Sequence, residues 1–379
     1  MPAVALGRWT RARTVHPAVR VHPYTGHVNS ARARPTRARG APDQGRAGPV
    51  ISRPGASPGP PAGPAQAGTS AAGPEPGRLD AVHAHTARAL LIATRPRQWL
   101  KNILVFAAPG AAGLLGHPAV LARTAAAAAM FVLASSGTYL VNDALDASAD
   151  RVHPEKRHRP VASGALTVPA ALGAGGALLA AALGSAVLVG GARLLGVAAA
   201  YVGVSLAYTL WLKRVPVVEL ACVSSGFVLR AVAGGAAVSI PISHWFVIVA
   251  SAGALLVVAG KRSAELATLG PASRAHRPVL ERYPASFLRS VQVLAATVAV
   301  VGYALWAFER ASLLDVGRSG ADAIVFQLSI VPFVLGVLTV ELAIEAGDGG
   351  APEELALHNR ALQALALACL AFVAFGIYA

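Results

Sequence analysis

The sequence predicts an all-α membrane protein, a helical bundle of about nine transmembrane helices, and three observations predict it. Hydrophobic residues make up 55% of the 379 positions and charged residues only 13%, too apolar a balance for a soluble domain of this length. Apolar runs of roughly 20 residues, the length that crosses a bilayer as a helix, recur from about residue 100 to the C-terminus. Basic residues concentrate in every second connection between those runs, the charge asymmetry of a multi-pass chain.

The apolar segments fall near residues 100–116, 121–141, 168–190, 194–212, 215–237, 243–260, 286–308, 323–344 and 360–378. The first is short and broken by Pro109 and Gly110, which predicts a tilted or partly re-entrant passage. Backbone groups in hydrocarbon must satisfy their own hydrogen bonds, so these segments are helices, and the small-residue runs Ala125 to Ala129 and Gly173 to Gly176 suit close helix contact. Connections after even-numbered segments carry Arg151, Lys156, Arg157, Arg159, Lys213, Arg214, Lys261, Arg262, Arg274, Arg277 and Arg282; those after odd-numbered segments carry Arg193, Arg310 and Arg318. Eleven against three places the even connections and the N-terminus in the cytoplasm of a cell-membrane protein, and the C-terminus outside.

The formal net charge is +15, but it is unevenly spread: residues 1–80 hold eleven Arg against three acids, or +8. This stretch is rich in Pro, Gly, Ala and Arg and lacks aliphatic periodicity, so residues 1–85 are expected to be a disordered basic extension and residues 90–379 the transmembrane domain. A basic arm can attract anionic lipid; no nucleic-acid partner is expected. Cys222 and Cys369 lie in apolar runs far apart and read as small core hydrophobes. Walker loops, GxGxxG after a strand, paired CxxC and HExxH are all missing, and His83, His85 and His117 read as surface or interface residues, so no zinc chemistry is expected.

The strongest local signal is Tyr139-Leu-Val-Asn142-Asp143-Ala-Leu-Asp146-Ala-Ser-Ala-Asp150. On one continuous helix Asp143, Asp146 and Asp150 are spaced i, i+3, i+7 and share a stripe, with Asn142 beside it and Tyr139 a turn earlier. Like charges so placed repel unless a cation or water compensates. Carboxylate and amide oxygens are hard ligands that suit Mg²⁺, which fills its shell with water and substrate phosphate oxygens. The bland alternative is a solvated helix end. Cations follow at once in His153-Pro-Glu-Lys156-Arg157-His-Arg159-Pro160, and acids for a metal beside Lys and Arg are what a polyphosphate needs.

Lysine use is selective: four of 33 basic residues are Lys, namely Lys101, Lys156, Lys213 and Lys261, each at an expected cytoplasmic end of a span. Either they are compact charges for a phosphate or they anchor spans at the headgroups. Further along, Lys213, Arg214 and Glu219 open the fifth segment, Arg230 lies deep in its apolar run, and Lys261-Arg262-Ser-Ala-Glu265 closes the sixth. An intramembrane Arg is costly without a partner or cavity, which makes Arg230 a site candidate.

These residues resemble the UbiA superfamily of intramembrane transferases, and within it the decaprenyl-phosphate 5-phosphoribosyltransferase branch. Four blocks carry the likeness: Arg95-Pro-Arg-Gln-Trp-Leu-Lys-Asn102; Asn142-Asp-x-x-Asp-x-x-x-Asp150 with its Lys156-Arg-x-Arg-Pro tail; Gly226-Phe-Val-Leu-Arg-Ala-Val-Ala-Gly-Gly235; and Gly260-Lys-Arg-x-Ala-Glu265 with Val279-Leu-Glu-Arg-Tyr283. The resemblance implies transfer of 5-phosphoribosyl from phosphoribosyl diphosphate to a polyprenyl (decaprenyl) phosphate, for arabinan-type cell-wall precursors. It implies Mg²⁺ held by Asn142 and Asp146, with Asp143 and Asp150 as further catalytic carboxylates that orient or bind a second ion. Tyr139, Lys101 and Lys156 are expected on the donor; Lys213, Arg230, Lys261 and Arg262 on the acceptor phosphate or the donor 5-phosphate, with Arg157 and Glu265 completing the substrate-binding set. Glu219 stands where the branch more often has Asp. The alternatives are a prenyltransferase acting on an aromatic acceptor, which would need a second acidic motif, and a transporter of an anionic substrate.

Overall fold

In the computed structural model, residues 86–268, 279–315, 320–350 and 352–378 are described, all within one compact unit, Ala71–Ala379. The expected extension, residues 1–85, lies outside them. The described chain is helical: α1 over 86–93, a 3-10 helix Pro96–Phe106, then α2 Ala107–Ala111, α3 Pro118–Leu145, α4 Ala147–Arg151, α5 Val168–Leu210, α6 Val218–Val238, α7 His244–Thr268, α8 Ala285–Asp315, α9 Gly320–Leu328, α10 Ile330–Glu345, α11 Pro352–His358 and α12 Arg360–Tyr378. Among the described residues, seven helices are long and apolar enough to cross a membrane.

Two features reconcile seven such helices with nine expected segments. α5 has 43 residues, about 65 Å at the α-helical rise and twice the hydrocarbon thickness. Gly191 interrupts it with φ 61° and ψ −151°, a conformation that essentially only glycine adopts. The two halves are therefore the third and fourth expected segments. The first expected segment is the 11-residue 3-10 helix followed by the 5 residues of α2. At a rise of about 2.0 Å per 3-10 residue and about 1.5 Å per α residue it covers about 30 Å, a bilayer core.

Both ends of that segment are located by contacts. Arg95 bonds Asp143 near the C-terminus of α3, whereas the Ala111 carbonyl accepts from Arg310 near the C-terminus of α8. Midway, the segment presses on α6 so closely that a Cβ at Gly234 would overlap the Val105 carbonyl oxygen. Trp99 Nε1 donates to Ser136 Oγ and the Thr94 carbonyl at 3.2 Å, fixing the segment against α3.

Small residues set the spacing of α3 and α5. A Cβ on Gly137 would lie 2.9 Å from the Gly175 carbonyl oxygen, so the backbones touch there, while Gly173 and Gly176 meet nothing within 4 Å. Thr167 caps α5, its hydroxyl accepting from the Ala170 N–H at 3.4 Å, with Pro169 in the first turn. The main core joins α3, α5 and α6 through Met130, Phe131, Ala134, Leu194 and Ala233. A second cluster, Tyr303, Trp306 and Phe326, joins α8 and α9, with Val373 and Ile377 of α12 packed against it. Cys222 and Cys369 are free thiols.

Candidate active site

The polar connections converge on one end of the bundle. Ion pairs and hydrogen bonds tie α3 to the 3-10 helix Leu212–Arg214 after α5, the start of α6 to the end of α7, and the Val217 N–H to the Tyr283 hydroxyl before α8. Burial pushes the Tyr283 phenol up from its usual value, so it stays neutral and accepts that bond at 2.6 Å.

The acidic motif does not form one continuous stripe. α3 ends at Leu145; Asp146, with φ −92° and ψ 3°, breaks the helix before α4. This break separates the carboxylates into two groups. Asp143, 2% exposed, accepts from Arg95 at 2.6 Å and from Arg159 at 3.1 Å, and Arg159 also reaches Asp150 at 2.7 Å. Arg95 itself lies 4.7 Å above the Tyr139 ring, on a backbone with φ 56° immediately before Pro96. Asp146 points instead to Lys213, 2.6 Å away, and both remain partly exposed.

Asn142 links the two groups, its side chain bonding Asp143 as well. Its Oδ1 accepts from the Thr209 hydroxyl at 3.2 Å, so two i, i+4 pairs face each other: Asn142 and Asp146 on α3, Thr209 and Lys213 at the end of α5. Among the described residues, no three His, Cys, Asp or Glu gather into a group that could hold a metal. Asn142 and Asp146 nevertheless suit a hard divalent cation, because both are only half-buried and present two oxygens one helical turn apart. Asp143 fits poorly, being buried with its Oδ1 already shared by two guanidinium groups. Asp143, expected to orient or to bind a second ion, lies between Arg95 and Arg159.

Other expected residues divide likewise. Arg157 is exposed and donates to His158 at 3.2 Å; Arg159, two residues on, enters the acidic cluster instead. Lys101 is half-buried 5.6 Å over the Phe227 ring, and Lys156 and Lys261 are half-buried at the same end. Arg262 is gripped by Glu219, with bonds of 2.8 and 2.9 Å, and by Glu265 at 2.9 Å. Arg262, expected on a phosphate, and Glu265, expected in the substrate-binding set, thus form with Glu219 a buried brace between α6 and α7. Glu219, 0% exposed, has the longer arm that makes this grip. Arg230 lies deep in the core and bonds Asn102, the Gly226 carbonyl and Tyr201.

Arg95, Thr209 and Asn102 are the partners that sequence reasoning left without a role, and Arg159 was expected only among the cations for a polyphosphate. A signal exists for the first: an Arg before Pro at the mouth of a span. Thr209 is legible only as the residue four before Lys213.

Residues 103–338 match the UbiA prenyltransferase family. The chain belongs to the UbiA family. Among UbiA proteins it is 42% identical over 293 residues to a decaprenyl-phosphate phosphoribosyltransferase of Corynebacterium glutamicum, covering 76% of this chain and 86% of that one. It is 43% identical over 294 residues to the protein of the same name from Mycolicibacterium smegmatis, covering 76% and 92%. A UbiA homolog from Archaeoglobus fulgidus, solved bound to GPP and Mg²⁺, superposes with a TM-score of 0.55 at 17% identity over 76% of this chain and 98% of that one. That likeness establishes the UbiA fold.

Proposed function

We propose that this UbiA protein is a polyprenyl-phosphate phosphoribosyltransferase, which moves 5-phosphoribosyl from phosphoribosyl diphosphate to decaprenyl phosphate or a close polyprenyl analogue. The observation that carries the reading is the 42–43% identity to decaprenyl-phosphate phosphoribosyltransferases over most of their length. The chemistry of the end just described agrees with it. The C1–oxygen bond to diphosphate breaks as a C1–oxygen bond from the acceptor phosphate forms. Ribose C1 gains oxocarbenium character and the leaving group gains negative charge. The acceptor phosphate is already an anion, so no general base is required, in keeping with a mouth that gathers carboxylates and cations.

Asn142 and Asp146 would hold Mg²⁺, which when bound supplies positive charge for the diphosphate oxygens. Lys213 would meet the same oxygens, its ammonium oriented by Asp146. Asp143 and Asp150 hold Arg159, and Asp143 also holds Arg95, so both guanidinium groups are pre-set at the mouth. Lys101, Tyr139, Lys156 and Lys261 complete the rim of the donor site. The site faces the cytoplasm in this reading, which the excess of basic residues in the even-numbered connections supports.

Purified protein is incubated with labelled phosphoribosyl diphosphate, Mg²⁺ and polyprenyl phosphates, and in parallel with prenyl diphosphate and 4-hydroxybenzoate. Labelled lipid and free diphosphate are expected in the first mixture. Product in the second alone would replace the assignment with aromatic prenyl transfer.

A further inference from the structure

The end of α5 meets α3 at two points. Lys213 reaches Asp146, and four residues earlier the Thr209 hydroxyl meets Asn142 Oδ1 at 3.2 Å, across 67 residues of chain. Thr209 is 7% exposed, which leaves water little room to take the place of its hydroxyl. The same hydroxyl shares its proton with the Ser205 carbonyl, one turn back on α5, at 2.9 Å. A bond to the carbonyl four residues back selects one of the two rotamers open to a helical threonine, and here that rotamer aims the oxygen at α3.

Asn142 is a side chain for which such a contact matters. A primary amide presents an oxygen at one end and two N–H donors at the other, and a half turn about its last bond exchanges them. Only the oxygen binds a hard cation. The Asn142 side chain bonds the Asp143 carboxylate, which sits between two guanidinium groups and accepts only, so the amide nitrogen lies on that side. The Thr209 hydroxyl lies against the oxygen. One contact leaves the amide free to pivot about it; two, at opposite ends, fix its plane. A carbonyl oxygen has two acceptor positions, so the Thr209 bond leaves one for an ion.

We propose that Thr209 is a positioning residue for the divalent cation: its hydroxyl, set by the Ser205 carbonyl, holds the Asn142 amide with the oxygen turned to the ion. This role rests on Asn142 and Asp146 as the ligands and not on the identity of the group transferred. Hydrogen bonds that orient a ligand from behind govern metal affinity, and losing one costs about 10- to 100-fold. Asp143 keeps its hold on the other end of the amide, so the lower end of that range applies, about tenfold.

Two substitutions separate positioning from packing. Thr209→Val keeps the branched shape and loses the hydroxyl, whereas Thr209→Ser keeps the hydroxyl and loses the methyl group. A residue that only packs tolerates Val better than Ser; one that orients Asn142 tolerates Ser better than Val. The full-length protein in lipid nanodiscs is titrated with Mn²⁺ alone, as a paramagnetic substitute for Mg²⁺, and the free ion is read by electron paramagnetic resonance, with the melting temperature measured without metal. Thr209→Val is expected to keep its melting temperature and to weaken Mn²⁺ binding about tenfold, with Thr209→Ser within about twofold of wild type. In an Asn142→Ala background Thr209→Val should change Mn²⁺ affinity no further, because the two residues act as one unit. Affinity of Thr209→Val within about twofold of wild type, a Ser variant weaker than the Val variant, or a wild type that takes up no Mn²⁺ overturns the proposal. If Mn²⁺ binding depends on Thr209 as expected while the wild type transfers no phosphoribosyl group, the reaction reading fails and the positioning role stands.

Discussion

Asp143 and Asp146 are three residues apart and do different work. Asp146 is the open carboxylate beside Asn142, so Asp146→Asn should raise the Mg²⁺ concentration for half-maximal rate and lower the rate by roughly 10², the scale of one lost transition-state electrostatic contact. Asp143 accepts from Arg95 and Arg159 and from the Asn142 side chain, so Asp143→Asn should slow transfer by a similar factor of about 10² with a smaller change in the Mg²⁺ midpoint than Asp146→Asn gives. Initial rates across a Mg²⁺ titration distinguish them; a midpoint shifted as far in Asp143→Asn as in Asp146→Asn would assign that residue to the metal. Glu219 belongs to stability instead. Glu219→Gln leaves buried Arg262 with Glu265 alone and should cost about 3–5 kcal/mol, whereas replacing both members of the pair by apolar residues should recover most of it. Melting temperatures in detergent measure both.

At the scale of elements, two glycines hold the site's geometry from a distance. Gly191 turns α5 into a hairpin, and its φ of 61° with ψ −151° should make Gly191→Ala destabilising by about 1–3 kcal/mol. Gly234 lets the 3-10 segment lie against α6, where the obstacle to a Cβ is the Val105 backbone and not a movable side chain. Gly234→Ala should therefore displace the segment that carries Arg95 and Lys101. We expect a fall in melting temperature together with a raised KM for phosphoribosyl diphosphate, and a variant with an unaltered KM would place that backbone contact outside the donor site's support.

Among the described residues, the connections that hold Lys156 and Lys213 lie at one end and Ile377 at the other: Ile377 is the neighbour a Cβ at Gly113 would meet, across the bundle from Arg95. Labelling of single cysteines introduced near Lys156 and Lys213 should give cytoplasmic protection, and one near Gly191 external access; the reverse pattern would invert the topology. Deletion of residues 1–80 should leave turnover within tenfold, or about 1.4 kcal/mol, since the family match begins at residue 103.

Composition and periodicity by themselves determined the fold class, the placement of the apolar segments, the shared polar end and the Asn142 to Asp150 motif, because bilayer length and backbone hydrogen bonding leave helices little freedom. The UbiA likeness was carried by the residues of four short blocks, as a resemblance. The tertiary structure alone decided what each charged side chain meets. A stripe of three aspartates presumes an unbroken helix, and the break at Asp146 depends on the chain's next contacts: Lys213, 67 residues away, draws Asp146 to one side, while Arg95, 48 residues away, holds Asp143 on the other. Arg159 and Arg157 look alike in sequence, yet only one faces the acids. The fates of Arg230 and Arg262 diverge through partners 128 and 43 residues distant, one neutral and one acidic. Local pattern sets which segments are buried in lipid; pairing among buried charges is set by long-range packing, which no spacing along the chain encodes.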